Sequence, residues 1–175
     1  MARILGYIAA TLDGYIATED DSLDWLFKHG PADLGEYDYR LFIKRIRTIV
    51  MGRSTYDWLV NEGSPWAYGS QRVFVVTSHS IPDPKGPIEI RSDVDALVEE
   101  VRALDDGDVW MIGGGRLQMA FMERGALDEI EIYVIPYLLG GGIPLFPPTG
   151  FQKSLKFIST TALDRGCVRL HYALD

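Results

Sequence analysis

The stretch Val109-Trp110-Met111-Ile112-Gly113-Gly114-Gly115-Arg116-Leu117 constrains this chain more than any other. A short apolar run stops at three glycines, and a segment with helical spacing follows through Gln118, Phe121 and Met122. Such a pattern is a buried parallel strand feeding a βα turn. Glycine in the turn admits positive φ and lets a ligand lie against the main chain. The first amides of the next helix have no intrahelical partner and offer an anion site.

A chain of 175 residues suits one domain, residues 1–175, with a single core. Its net charge of −8 argues against nucleic acid or an anionic membrane as the main partner. A local positive site for a phosphate remains compatible with that charge. Cys167 is the sole cysteine, so an intrachain disulfide and a thiolate metal cluster are excluded. His29, His79 and His171 are far apart and show no metal-ligand spacing, so no metal site is expected. Met1 to Ala17 lacks the charged start, long apolar centre and cleavage site of a signal peptide. No run approaches the roughly 18 apolar residues of a membrane helix, and a cytoplasmic protein is expected.

Taken in order, Arg3 to Ala10 reads as a central strand, apolar on both faces. Asp13-Gly14 is a turn signal inside strand-like sequence, and Asp13 is expected to shape that turn through its side chain. Glu19 to Asp24 is an acidic loop, after which Asp24 to Phe27 returns to apolar residues that suit a cover for a cleft. Glu36 to Arg47 has Tyr39, Phe42, Ile43 and Ile46 on one helical face, with acids leading and bases ending it, so a helix is predicted there. Strands are expected at Thr48 to Met51, Arg72 to Thr77 and Ile88 to Arg91, and a helix capped by Ser92 or Asp93 runs to Leu104. Glu129 to Pro136 alternates as a strand, Leu138 to Phe146 is a glycine-rich connection, and Leu155 to Leu163 with Cys167 to Leu174 forms a hairpin. Strands alternating with helices, then strands alone, predict an α/β fold: a three-layer αβα sandwich with a mostly parallel sheet and antiparallel C-terminal strands.

Three strand ends carry residues suited to a ligand: Gly52-Arg53-Ser54-Thr55, Thr77-Ser78-His79 and Gly113-Gly114-Gly115-Arg116. Ligands of open α/β sheets bind outside the carboxyl ends of the strands, where all three groups would lie. They supply hydroxyls, backbone amides and guanidinium groups, the donors that a phosphate or diphosphate needs. Each set is also ordinary material for a βα turn. Neither the Rossmann fingerprint nor a P-loop is present, and serine-hydrolase patterns are missing. Trp58, Trp66 and Trp110 read as packing residues, and Cys167 as a small core side chain.

Together these residues resemble the dihydrofolate reductase-like superfamily, in particular the branch holding the C-terminal reductase domain of the riboflavin-biosynthesis deaminase-reductase and its stand-alone relatives. The carriers are Thr11 to Ala17, Asp24-Trp25-Leu26, Met51 to Tyr56, Thr77-Ser78, Ile112 to Gly115 and Pro136 to Phe146, in that order along nearly the whole chain. The resemblance implies NADPH as hydride donor. It implies that Gly52, Arg53, Ser54 and Thr55 hold cofactor phosphates, and that Thr77, Ser78 and His79 surround the adenosine end with its 2′-phosphate. Ile112, Gly113 and Gly114 would lie under the diphosphate and nicotinamide, often with a cis peptide in this superfamily, and Gly115, Arg116 and Leu117 would cap the diphosphate. Ala9, Ala10 and Ile16 would line the nicotinamide pocket. It also implies a homodimer that pairs through Leu138 to Phe146.

On the substrate side, Trp25 is the candidate to close over the acceptor, with packing under the loop as the equal alternative. Asp33, Glu36 and Asp38 are candidates for a single orienting or catalytic carboxylate, and all three are equally readable as helix-start charges. The expected activity is reduction of a small heterocycle, a pterin or a ribosylaminopyrimidine of riboflavin biosynthesis. No zinc-deaminase pattern accompanies it, so a bifunctional riboflavin enzyme is not expected. The alternatives are a non-catalytic nucleotide- or ligand-binding module on the same fold, and a site for a different phosphorylated ligand.

Overall fold

The computed structural model describes residues 1–174, and its backbone runs through ten strands and five α-helices. β1 (Ile4–Thr11) leads through the Asp13-Gly14 turn into β2 (Tyr15–Ala17), and α1 is Asp24–His29. A 3-10 turn at Gly35–Tyr37 precedes α2 (Tyr39–Phe42), and a second at Ile43–Arg45 delivers the chain into β3 (Ile46–Gly52) and α3 (Arg53–Asn61). Then come β4 (Arg72–Val76), β5 (Glu89–Arg91), α4 (Val94–Arg102), β6 (Asp108–Gly113), α5 (Gly115–Glu123) and β7 (Glu129–Ile135). The chain closes with β8 (Ile143–Pro144), β9 (Lys156–Ala162), a 3-10 turn at Asp164–Gly166, and β10 (Val168–Ala173).

Eight strands form one sheet in the order β5-β4-β3-β6-β1-β7-β10-β9. Pairs from β5 to β7 are parallel, while β10 runs antiparallel to both β7 and β9. β2 and β8 pair separately as a two-stranded ribbon. Period-two alternation assigns the faces. Ile4, Val50, Phe74, Val109, Met111 and Ile130 point one way and pack with Leu97 and Val101 of α4 and Met119, Phe121 and Met122 of α5. Leu5, Ile49, Met51, Val73, Val75 and Trp110 point the other way, against Phe42, Tyr56 of α3 and Tyr68. Trp25 of α1 joins Tyr133, Ile135 and Cys167. The result is the αβα sandwich with a mostly parallel sheet and antiparallel C-terminal strands. No helix among the described residues is long and apolar enough to cross a membrane.

The helix expected over Glu36 to Arg47 is replaced by two short turns around α2. Asp38, at φ −59° and ψ 140°, is the N-cap, and its carboxylate accepts the Arg40 amide. Ile46 is already extended and fully buried as the first residue of β3. Its place in the helical spacing was therefore accidental: β3 is longer than the predicted strand, and its pairing with β6 takes the residues that a helix would need.

A buried polar ribbon pins the antiparallel end of the sheet. The Arg169 guanidinium donates to the Glu131 carboxylate at 2.7 Å and the Ser159 hydroxyl at 2.9 Å, and lies 4.1 Å from the Tyr37 ring centroid. His171 links the ribbon to Glu129 at 2.9 Å. Burial alone would raise the Glu131 carboxyl, but the hydrogen bond and charge of Arg169 outweigh it and hold the group below its ordinary 4.5. Its stabilising contribution is therefore complete above that ordinary value and is lost as the pH falls through the folded-state value. Replacing Arg169 by Ala removes the 2.7 Å partner of Glu131 in a site only 12% exposed and leaves it Arg45 at 3.9 Å and the Tyr133 hydroxyl, and should cost about 1.5–3 kcal/mol in urea unfolding at neutral pH. The variant should also show a smaller stability advantage at neutral over acid pH. A loss under about 1 kcal/mol would mean that the ribbon does not stabilise the fold.

Candidate functional site

β3 and β6 are parallel neighbours, with Met51 opposite Gly113, so the helices that follow them start side by side. Gly52 is the N-cap of α3 and Gly114 the N-cap of α5, and neither helix has a side-chain cap or an acidic residue in its first turn. A methyl group on Gly52 would sit 3.6 Å from the Gly114 nitrogen and 3.7 Å from the Gly113 oxygen. The Gly113–Gly114 peptide is cis, and Gly113 has φ +127°, a conformation other residues rarely adopt. Each of these helices opens on arginine: Arg53 first in α3 and Arg116 second in α5. Cations at a helix start oppose the macrodipole, so both ends are left strongly positive. Arg53 is partly balanced by Asp57, 2.8 Å away, whereas the exposed Arg116 has no ion-pair or hydrogen-bond partner among the described residues. The amides and guanidinium groups fit a diphosphate.

The two helix starts open onto a cleft of about 960 Å³. Its wall takes in Gly52 to Thr55, Ile112, Gly114 to Leu117, and Ala9 and Ile16. The β2–β8 ribbon forms one side, with Gly142 to Pro144, and Pro147 and Pro148 follow it. Asp13 ties this side down. Its carboxylate accepts the Gly140 amide at 2.8 Å, the Leu139 amide at 3.1 Å and the Thr11 hydroxyl at 2.6 Å. The Thr11 hydroxyl above all, then the Gly140 amide, holds the carboxyl below its ordinary value. Asp13 thus shapes its turn, as expected, and also binds the glycine-rich connection to the end of β1.

Several predicted residues stand elsewhere. Ala10 is 2% exposed and faces the opposite side of the sheet, because it alternates with Ala9. Gly113 lies behind the wall formed by Ile112 and Gly114. Thr77, Ser78 and His79 sit beyond β4, outside the cleft wall. The Thr77 hydroxyl accepts the His79 amide at 3.1 Å, the Ser78 hydroxyl meets the His79 ring, and Arg53 reaches this loop through the Ser80 carbonyl at 3.3 Å. Trp25 is 2% exposed within the Tyr133, Ile135 and Cys167 cluster and offers no surface to an acceptor; Leu23 and Leu26 on either side of it line the cleft instead. Asp33 and Glu36 border a separate shallow depression beside Leu163 and Asp164. Asp38 faces Arg40 as the cap of α2. None of the three carboxylates lines the main cleft.

The aromatic part of the cleft wall is made of residues that sequence reasoning passed over: Tyr7, Tyr39, Trp58, Leu59, Tyr68 and Trp110, and the wall also takes in the exposed Asp21. Trp58 and Trp110 were read as packing residues. Trp110 does pack, at 7% exposure, yet its remaining surface is cleft wall. The usable signal is alternation: Tyr7 with Ala9, and Trp110 with Ile112, share the face that the two helix starts overhang.

The family model of the RibD C-terminal domain matches residues 4–169. The chain belongs to this family. It is 34% identical over 95% of its length to the uncharacterized Bacillus subtilis (strain 168) protein YwjB, of which it covers 94%. A Shewanella sp. PV-4 structure, provisionally named as a riboflavin biosynthesis protein, aligns over 99% of this chain and 98% of its own with a TM-score of 0.81 and 29% identity. A Thermotoga maritima structure is named a diaminohydroxyphosphoribosylaminopyrimidine deaminase/5-amino-6-(5-phosphoribosylamino)uracil reductase. It shares the fold at a TM-score of 0.67 and 13% identity, over 98% of this chain and 56% of its own.

Gly115 is where the site and the packing of this fold meet. A methyl group there would come within 2.7 Å of the Pro144 carbonyl oxygen and 3.2 Å of that of Leu145, both backbone atoms. Gly115→Ala should push α5 away from the ribbon, costing about 1–3 kcal/mol in thermal or urea unfolding. An unchanged unfolding midpoint would show that the contact is not tight.

Proposed function

We propose that the protein is an NADPH-dependent reductase that delivers hydride to a small heterocyclic acceptor. The observation that carries this reading is the pair of adjacent, uncapped helix starts, each with an arginine, opening onto a cleft with an apolar and aromatic floor. Membership of the RibD C-terminal domain family, and the reductase named for the Thermotoga maritima neighbour, support it. When bound, the cofactor would supply a hydride from its nicotinamide ring to an acceptor carbon, with a proton from water going to the adjoining nitrogen or oxygen.

The chain's own part is positioning. The amides after Gly52 and Gly114, with Arg53 and Arg116, would hold the diphosphate. Thr55 and Leu117 flank that position on the cleft wall. Ala9, Ile16 and Ile112 are small or apolar and would let a flat ring lie against the ends of β1 and β6. Thr77, Ser78 and His79, whose loop Arg53 reaches through the Ser80 carbonyl, would hold the 2′-phosphate. A non-catalytic nucleotide-binding module would use the same phosphate groups, and the position of Asp33, Glu36 and Asp38 outside the cleft favours that second reading.

Titration of the protein with NADPH and NADH, followed by nicotinamide fluorescence, tests the proposal. NADPH should bind more tightly than NADH. Arg116→Ala should weaken NADPH by about tenfold or more, the effect of losing one charge-assisted contact. Arg53→Ala should weaken it as well. Absence of binding by either dinucleotide would remove the reductase, and unchanged affinity in both variants would remove the phosphate roles.

A further inference from the structure

The cleft is divided by charge. Its lining cations, Arg53 and Arg116, both stand at the helix starts, and its lining carboxylate, Asp21, is exposed. The aromatic part of the lining holds no ionised group among the described residues. It is a box of rings: Trp110 packs edge-on to Tyr7 at 6.4 Å and to Tyr68 at 6.2 Å, and lies 5.6 Å from Tyr39. Trp58 and Leu59 of α3 line the same cleft. Most of the polar atoms of the box are already engaged. The Tyr7 hydroxyl donates to the Tyr37 carbonyl at 2.9 Å, and the Trp110 indole N–H donates to the Tyr7 carbonyl. Burial raises the neighbouring Tyr39 and Tyr68 phenols further above the ordinary value, and both are protonated at neutral pH. Neither hydroxyl has a backbone or carboxylate partner among the described residues, so an O–H donor is open to a ligand.

We infer that the acceptor is an uncharged, planar conjugated ring carrying no phosphate of its own, lying against Tyr39, Trp58 and Trp110 with a polar edge toward the Tyr39 and Tyr68 hydroxyls. The inference rests on the reductase reading for which molecule fills the box, since that reading assigns Arg53 and Arg116 to the cofactor. A phosphate dianion in the box would lose its hydration and find only rings and an open O–H donor in exchange. A flat neutral ring finds aromatic surface in offset and edge-on orientations, and one donor for a ring nitrogen or carbonyl. The expected acceptor therefore differs from the phosphoribosylamino compound in the name of the Thermotoga maritima neighbour.

The test titrates the full chain, with and without saturating NADP+, against pterin and against 5-amino-6-(ribosylamino)uracil with and without its 5′-phosphate, reading tryptophan fluorescence. Cofactor binding is measured separately, so failure of the reductase reading appears there and not in the ring titrations. Pterin and the unphosphorylated uracil compound should bind, the latter about tenfold more tightly than its phosphate. Tyr39→Phe should weaken pterin by about tenfold, the effect of one lost hydrogen bond, while NADP+ affinity stays within about twofold. Equal or tighter binding of the phosphorylated compound overturns the inference. So does absence of binding by both unphosphorylated rings to protein that binds NADP+, or a parallel loss of pterin and NADP+ affinity in Tyr39→Phe.

Discussion

The parallel pairing of β3 with β6 places two helix N-termini in contact, and the rest of the site follows from that. Each terminus carries a partial positive charge, each lacks a side-chain cap, and each adds an arginine of the same sign. Asp57 offsets one of these charges from within its own helix, and Arg116 has no counterpart among the described residues. A chain with a net charge of −8 has acids to place there, and its other nine-residue helix shows the ordinary solution. α4 begins on Asp93, whose carboxylate accepts two amides, with Asp95 in the first turn and Arg102 in the last. α3 and α5 reverse that pattern at the one place where two starts adjoin. A concentration of positive potential that folding alone would relieve is what an anionic ligand stabilises.

Holding that arrangement open requires support from the far side of the sheet. α5 can approach the β2–β8 ribbon only because Gly115 has no side chain, and the ribbon is itself held by Asp13 at the end of β1. β1 lies between β6 and β7, and β7 is bound to β10 through the Arg169–Glu131 ribbon. The path from the antiparallel edge to the amides of the helix starts thus runs through hydrogen-bonded neighbours. The cleft is placed at the carboxyl ends of the parallel strands, while its outer wall depends on a short antiparallel ribbon.

The parts of this fold readable from sequence are those in which local pattern and tertiary role agree. The run from Val109 into α5, the capped helix after Asp93 and the C-terminal hairpin each carry their own period, cap or turn residues. Ile46 shows the opposite case. It fits a helical stripe and a strand equally well, and only the availability of β6 as a partner decides, which no local window contains. Trp25 and Trp110 differ in the same way. Both are large, apolar and nearly buried, yet the Tyr133, Ile135 and Cys167 cluster covers Trp25 completely, while Trp110 keeps one edge on the cleft. The two helix starts were legible because they hang on glycines that follow apolar strands. The aromatic wall was not, because residues at 7, 39, 58, 68 and 110 meet only after the sheet is assembled.

That assembly also bears on how an acceptor could be polarised. The carboxylates suggested by residue type alone lie outside the cleft: Asp38 caps α2, and Asp33 and Glu36 border another depression. A carboxylate in the ring box would have to be neutralised or paired, and the box offers no cation to pair it. Neutral phenols avoid that penalty. They are donors across the physiological range, the more so because burial raises them, and a phenol can orient a carbonyl or ring nitrogen without adding charge. Separation of the two ends follows from the same electrostatics. Anions are drawn to the helix starts and repelled by desolvation from the rings, so one continuous cleft presents two environments that differ in charge.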